Sequence, residues 1–217
     1  MPGNNMKFNS KKFVSKLISR YHEARKPIFE HSNIQRGRSR SISGEAEDLL
    51  AFFIAENLNR NYKYFIDQPL TTRRIKIYPD ILILNRMKCH NLIDVKMDLG
   101  WNRNRFISFC NKKSKLLQKL SNQPGKFKTN HEENEFRFHF GKYVGYHIVI
   151  ISNKNITENK FNFNYSKANR IKGIRVYALT GNIHPNEHGM NKKQKMKQIK
   201  INNDQFTKLL KNLRDTC

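Results

Sequence analysis

The sequence predicts an α/β fold, one central mixed β-sheet flanked by helices in a compact domain. Two patterns carry that expectation. Apolar residues recur at helical spacing in some blocks and alternate or run continuously in others, and the blocks are ordered helix, three strands, helix, strand, strand. A third observation marks where chemistry would sit: the apolar stretch "NLIDVKM" at 91–97 carries Asp94 and Lys96 in its middle. Side chains alternate along a strand, so Asp94 and Lys96 share one face while Ile93, Val95 and Met97 share the other. Opposite charges on an apolar face cost free energy unless they are paired, hydrated or bound to something.

Each element has its own signal. Residues 7–30 read as a basic helix with Phe13, Leu17 and Tyr21 at spacing four and Pro27 near its end. "QRGRSRSISG" at 35–44 reads as a loop in which Arg36, Arg38 and Arg40 alternate with small residues. "EAEDLLAFFIAENL" predicts an amphipathic helix with Ala46, Leu49, Leu50, Phe53, Ile54 and Leu58 on one stripe and Ser43 or Gly44 as cap. Strands are expected at 62–70, 74–84 and 91–97, the last two joined by "NRMKCH" as a hairpin loop. A basic helix follows at 103–121, with Phe106, Phe109, Leu116, Leu117 and Leu120, and then "SNQPGKFKTNHEENE" as a polar loop. "YVGYHIVIIS" (143–152) and "GIRVYALTG" (173–181) are two further strands, and the chain ends in a helix with Phe206, Leu209, Leu210 and Leu213. This divides it into a basic N-terminal helix and arginine-rich arm (1–42), a core (43–182) and a basic C-terminal extension (183–217).

Charge narrows the partners. The chain carries 42 Lys plus Arg against 17 Asp plus Glu, a formal charge of +25. Such an excess opposes compaction unless a polyanion offsets it, so nucleic acid is the expected partner and an anionic membrane surface the weaker one. No apolar run approaches the roughly 20 residues of a spanning helix, and "MPGNNMKFNSKKF" lacks a signal-peptide core, so a cytoplasmic location is expected. Cys89, Cys110 and Cys217 are too few and too scattered for a disulfide framework or a zinc site.

A second acid lies in an apolar strand, Asp80 in "YPDILIL". With a hairpin midpoint near Met87 and Lys88, Asp80 reflects onto Val95, beside Asp94. Two carboxylates brought that close repel unless a metal or a proton intervenes. Oxygen ligands of this kind suit Mg²⁺ better than zinc.

"PD" at 79 and 80, thirteen residues, and "DVK" at 94–96 resemble the P-D…(D/E)-x-K signature of the restriction-endonuclease-like nucleases. The resemblance extends to an upstream glutamate on the helix before three strands: "SGEAEDLLAFF" offers Glu47, with Glu45 as the fallback. It covers the element order from about 43 to 181 and leaves the basic ends outside. It implies a restriction-endonuclease-like core in which Asp80, Asp94, the Val95 carbonyl and Glu47 hold Mg²⁺, with Mn²⁺ as a substitute. Lys96 would orient and help deprotonate the attacking water, and cleavage would leave a 5′-phosphate and a 3′-hydroxyl. A type II site-specific restriction endonuclease acting on double-stranded DNA as a homodimer is the expected function. A junction resolvase, repair nuclease or mobile-element nuclease is the near alternative, and a non-catalytic nucleic-acid-binding protein the alternative of another class.

Blander readings stand beside these. Asp94 and Lys96 could be a surface ion pair, and one of Glu45 and Glu47 only a favourable charge at a helix start. Asp98 continues the face of Asp94 and Lys96 as an extra metal contact or an exposed strand end. Arg36, Arg38 and Arg40 are expected to touch DNA, as are Arg103 and Arg105 beside Trp101, a residue equally suited to the core. His131 and His139 read as solvated loop residues, "HPNEH" at 184–188 as a loop rather than a metal pair, and Lys192, Lys193, Lys195, Lys197 and Lys200 as a solvated face.

Overall fold

Helical periodicity at the start of the chain produces α1 (Ser10–Ala24), which buries Phe13, Val14, Leu17, Ile18 and Tyr21 along one stripe. Asn9 caps it by accepting from the Lys12 N–H, and Pro27 follows its end. The computed structural model describes residues 8–28, 33, 36, 38–58, 61–73, 75–100, 104–129 and 135–215. Helix α2 (Ser43–Asn57) turns Ala46, Leu50, Phe53 and Ile54 inward. Ser43 is its first helical residue rather than its cap, a position held by Ile42 without a side-chain bond.

The expected strands at 62–70 and 74–84 each break in two. Strand β1 (Tyr62–Ile66) ends where Asp67 adopts a φ of 47°, and the short β2 (Leu70–Thr71) and β3 (Lys76–Ile77) pair only with each other and with a later strand. Strand β4 (Ile81–Asn85) pairs antiparallel with β1 and with β5 (Lys88–Lys96). Helix α3 (Phe106–Leu120) then carries the chain over one face of the sheet. Strand β6 (Pro124–Phe127) lies inside the segment read as a polar loop, with Gly125 and Phe127 buried and Pro124 and Lys126 exposed. The next strand, β7 (Phe136–Ser152), begins well before residue 143 and places His139 on a strand rather than in a loop. Helix α4 (Glu158–Asn169), β8 (Ile174–Gly181), α5 (Lys192–Gln198), β9 (Lys200–Ile201) and α6 (Asn203–Asp215) complete the chain.

These strands form one mixed sheet in the order β1-β4-β5-β7-β6-β2-β3, with β8 on β7 and β9 on β8. The meander β1, β4, β5 is antiparallel, while β5, β7 and β8 run parallel. Parallel neighbours need a crossover, and α3 and α4 lie in those two connections. The first half of β7 pairs with β6 and its second half with β8, so one long strand serves two arms of the sheet.

Alternation along the strands divides the interior into two cores. Ile81, Ile83, Ile93 and Val95 face α1, α2 and α6, whereas Leu82, Leu84, Leu92 and Ile148 face α3 and α4. Each such side chain, fully buried, contributes about 1.5–3 kcal/mol. Phe206 of α6 packs edge-on against Phe13 at 5.5 Å and Phe53 at 5.1 Å, so both terminal helices belong to the first core. Lys195, expected on a solvated face, is fully buried and donates to the Pro185 carbonyl at 3.3 Å. Cys89 and Cys110 are buried free thiols, and Cys217 lies outside the described residues. Among the described residues no helix is long and apolar enough to cross a membrane.

Candidate active site at the end of the β4–β5 hairpin

A two-residue turn closes the hairpin. Arg86 and Met87, at φ 45° and 66°, both occupy the left-handed region, where the backbone twist matches that of the flanking strands. This is tighter than the expected "NRMKCH" loop, and from Asn85↔Lys88 an unbroken register would set Asp80 opposite Ile93. The register shifts between Ile83↔Asn91 and Leu84↔Cys89, leaving His90 as the extra residue of a β-bulge. Beyond it the pairs are Leu82↔Leu92 and Ile81↔Ile93, and one further step sets Asp80 opposite Asp94 itself. The reflection of Asp80 onto Val95 is thus corrected by one residue. The bulge puts both carboxylates on the α3 side of the sheet.

Beyond Ile81 the β4 ladder stops, and the side chain of Asp80 takes over its work by accepting from the Val95 N–H at 2.6 Å. Burial, and then the Asp94 charge, raise the Asp80 pKa above the usual carboxylate range, against the Lys96 ammonium and the Val95 N–H. Asp94 is only 3% exposed. A carboxylate so buried needs partners. It accepts from the Tyr146 hydroxyl at 2.6 Å and lies 3.1 Å from the Lys113 ammonium. Lys96 Nζ sits 3.8 Å from an oxygen of Asp80 and 3.8 Å from one of Asp94, close enough for ion pairing and beyond hydrogen-bond length. The Phe109 ring lies under both ammonium groups, 5.6 Å from Lys96 and 5.1 Å from Lys113.

Glu47 approaches from the opposite face, on α2. Burial, then repulsion from Asp80 and Asp67, push its pKa up to about 7, against the pull of Lys96. Glu45 is exposed and pairs with Arg20 at 3.3 Å instead. Asp98 is tied into its own loop rather than left as an exposed strand end. It accepts from the Gly100 N–H and from Asn155, both at 2.7 Å, and lies 3.7 Å from His184. "HPNEH" is a loop, as expected, in which His184 accepts from the Asn186 N–H.

The arginines divide. Arg40 donates to the Lys26 and Glu23 carbonyls and closes the C-terminal end of α1. Arg36, which reaches the Arg38 carbonyl, and Arg38 itself are exposed, as is Arg105 at the start of α3. Trp101, Arg103 and His131 lie outside the described residues.

Four residues at this site carried no role in the sequence reading. Tyr146 had a signal, a hydroxyl-bearing ring in a buried strand, where such a hydroxyl needs a partner. Burial, then the Asp94 charge, hold its pKa well above the ordinary tyrosine value. Lys113 was hidden among the α3 lysines, and Phe109 was read only as core. Asp67 follows from register alone: beyond Ile66↔Ile81 it stands beside Asp80, donating its N–H to the Asp80 carbonyl at 2.8 Å.

The donor set can be tested against Mg²⁺. Among the described residues, no three His, Cys, Asp or Glu side chains converge into a metal cage. Mg²⁺ does not ask for one, since it keeps several waters and binds through one or two carboxylates together with substrate phosphates. Asp80 and Asp94 on neighbouring strands, with burial and then repulsion raising the pKa of Asp80 and of Glu47, fit that pattern. A cavity of about 670 Å³ lies elsewhere, lined by Lys142, Tyr143, Lys172 and Arg175 and containing none of these carboxylates. Neither the family models nor the curated proteins compared with the chain match it.

Proposed function

We infer that the protein is a divalent-metal-dependent endonuclease of the restriction-endonuclease-like class, cutting double-stranded DNA as a type II site-specific enzyme. The observation that carries this reading is the bulged hairpin, which brings Asp80 and Asp94 opposite each other with Lys96 3.8 Å from both. Support comes from the order α2, β1, β4, β5, α3, β7, α4, β8, from Glu47 entering beside Asp80, and from the +25 charge. A polyanion is the substrate that such a charge attracts.

Asp80, Asp94, the Val95 carbonyl and Glu47 would hold Mg²⁺ or Mn²⁺. Bound there, the ion would supply Lewis acidity, lowering the pKa of water and offsetting charge that develops on the phosphate. The residues do the remaining work. Asp80, fixed by the Val95 N–H, keeps one carboxylate at the strand end. Lys96, drawn to both acids yet beyond hydrogen-bond length from either, can turn its ammonium toward the attacking water to orient it and, once it has released its own proton to solvent, help remove the water's. As the water oxygen bonds to phosphorus, the bond to the 3′-oxygen breaks and that oxygen takes up a proton from solvent, leaving a 5′-phosphate and a 3′-hydroxyl.

Plasmid DNA incubated with and without Mg²⁺ tests the reading. Discrete linear products with Mg²⁺, lost in both Asp80→Ala and Asp94→Ala, are expected. Cutting confined to branched DNA would move the protein to junction resolution, and retardation without cutting would leave only a nucleic-acid-binding role.

A further inference from the structure

Asp94 is the most enclosed carboxylate at the site, and its closest cation is not the lysine of the D-x-K sequence. Lys113 Nζ lies 3.1 Å from Asp94 Oδ2, against 3.8 Å for Lys96. Lys113 also donates to the Tyr146 hydroxyl, which in turn donates to Asp94 Oδ1 at 2.6 Å. Both carboxylate oxygens are therefore engaged by α3 and β7. The Lys113 ammonium is held in place besides by the faces of Tyr146, at 4.5 Å, and Phe109, at 5.1 Å. An ammonium with this many contacts is built in, and it sits where a cation bound to Asp94 would have to compete.

We propose that Lys113 is an internal counter-cation for Asp94, which a divalent metal must displace, and that Tyr146 orients the carboxylate in both states. The proposal rests on the metal-site reading of Asp80 and Asp94. Both residues are positioning residues acting through Asp94. The physical logic is competition. A dication approaching Asp94 meets two positive charges, Lys96 and Lys113, and the nearer one already offsets the carboxylate. Metal affinity is thereby lowered in the free protein, and DNA phosphates, arriving as additional anionic ligands, restore it. Metal and DNA would then bind with positive coupling, each favouring the other by the same factor.

Mn²⁺ titration of the DNA-free protein, by calorimetry and by thermal melting, tests this without any cleavage. Lys113→Met should bind Mn²⁺ about tenfold more tightly than the parent, as expected for removing one nearby like charge in a partly solvated site. It should melt lower than the parent without metal and regain more on Mn²⁺ addition. Lys113→Arg, which keeps the charge, should stay near parental affinity, and Tyr146→Phe should bind several-fold more weakly because Asp94 loses its orientation. Should Lys113→Met fail to fold, Lys113→Gln carries the same expectation. A folded Lys113→Met or Lys113→Gln protein with unchanged or weaker Mn²⁺ affinity overturns the proposal, as does a Lys113→Arg protein that binds as tightly as Lys113→Met. Asp94→Asn separates the two levels. It should abolish binding, and if it binds Mn²⁺ like the parent, the carboxylate site itself is wrong whatever Lys113 does.

Discussion

Replacing Glu47 with Gln should stabilise the metal-free protein, and only on the alkaline side. The native state holds the Glu47 proton up to about pH 7, while the ordinary value is 4.5. Between those two values the native state binds more protons than the unfolded one, so the stability associated with this group falls as pH rises through the window. At pH 8 the native protein carries the whole cost of a carboxylate that is partly buried and pressed against Asp80 and Asp67, and at pH 4.5 it carries almost none. Two and a half units at 1.36 kcal/mol each give about 3.4 kcal/mol, and screening of a half-exposed group reduces that to roughly 1 kcal/mol. For a chain of this size 1 kcal/mol is about 2–4 °C in melting temperature. Thermal melts of parent and variant at pH 4.5 and pH 8 measure the difference, since other groups titrate in both proteins. A gain of about 3 °C at pH 8 that vanishes at pH 4.5 is expected. Mg²⁺ should reverse the order at pH 8 by stabilising the parent more. A variant no more stable than the parent at pH 8 would refute the reasoning, because neither burial nor the neighbouring carboxylates would then press on the Glu47 charge.

Other expectations follow from the same geometry. Lys96→Ala should collapse single-turnover cleavage by more than a hundredfold while melting close to the parent, and Lys96→Arg should rescue poorly, because a guanidinium cannot give up a proton. A fully active Lys96→Arg enzyme would reduce Lys96 to an ion-pair partner. Deleting His90 removes the bulge but keeps Asp80 opposite Asp94, because Cys89 and Asn91 then follow each other against Leu84 and Ile83. The variant should keep a folded circular-dichroism spectrum and still cleave, and loss of cutting by a folded variant would refute the register argument. His147, fully buried, bonded to Asn91 at 2.8 Å and within 3.0 Å of the Tyr177 hydroxyl, has its pKa lowered to about 3 by burial. Its contribution to stability is complete above about pH 6.5 and is lost as pH falls toward 3, so urea titrations of His147→Gln should show a flatter loss of stability over that range than the parent.

Much of the site was legible because strand alternation is a hard rule. Asp94 and Lys96 facing away from Ile93 and Val95 follows from a period of two, and the two cores are its direct consequence. The convergence of Asp80 and Asp94 was visible only to within one residue. A bulge leaves no mark in sequence, and Arg86-Met87 is a turn without the Asn-Gly pair that normally announces one. The opening of β7 carried a signal that went unread, since Phe138 and Phe140 alternate inward against exposed Arg137 and His139. Helix α4 gave little warning: "ENKFNFNYSKAN" is rich in asparagine, a weak helix former, and it buries only Phe161, Asn164 and Ala168. Lys113 was beyond sequence reasoning, because it meets Asp94 only through packing of α3 over the sheet, while the buried Tyr146 hydroxyl announced a need for a partner without naming Asp94.

The position of Glu47 on one face of the sheet and of Asp94, Lys96 and Lys113 on the other has a consequence for how the protein comes to be active. The α2 face and the α3 face are separate apolar cores, so a chain that has assembled just one of them holds half of the constellation. The strands that join the halves pair residues far apart in sequence, such as Lys96 with Ile150, and such closures come late because the loop entropy must be met first. A nascent or partly unfolded chain, though strongly basic and able to cling to nucleic acid through charge alone, would therefore hold DNA without cutting it. Refolding followed by cleavage should show activity returning with the slowest packing phase, after binding has already recovered. Under the nuclease reading, cleavage would then be confined to the finished fold.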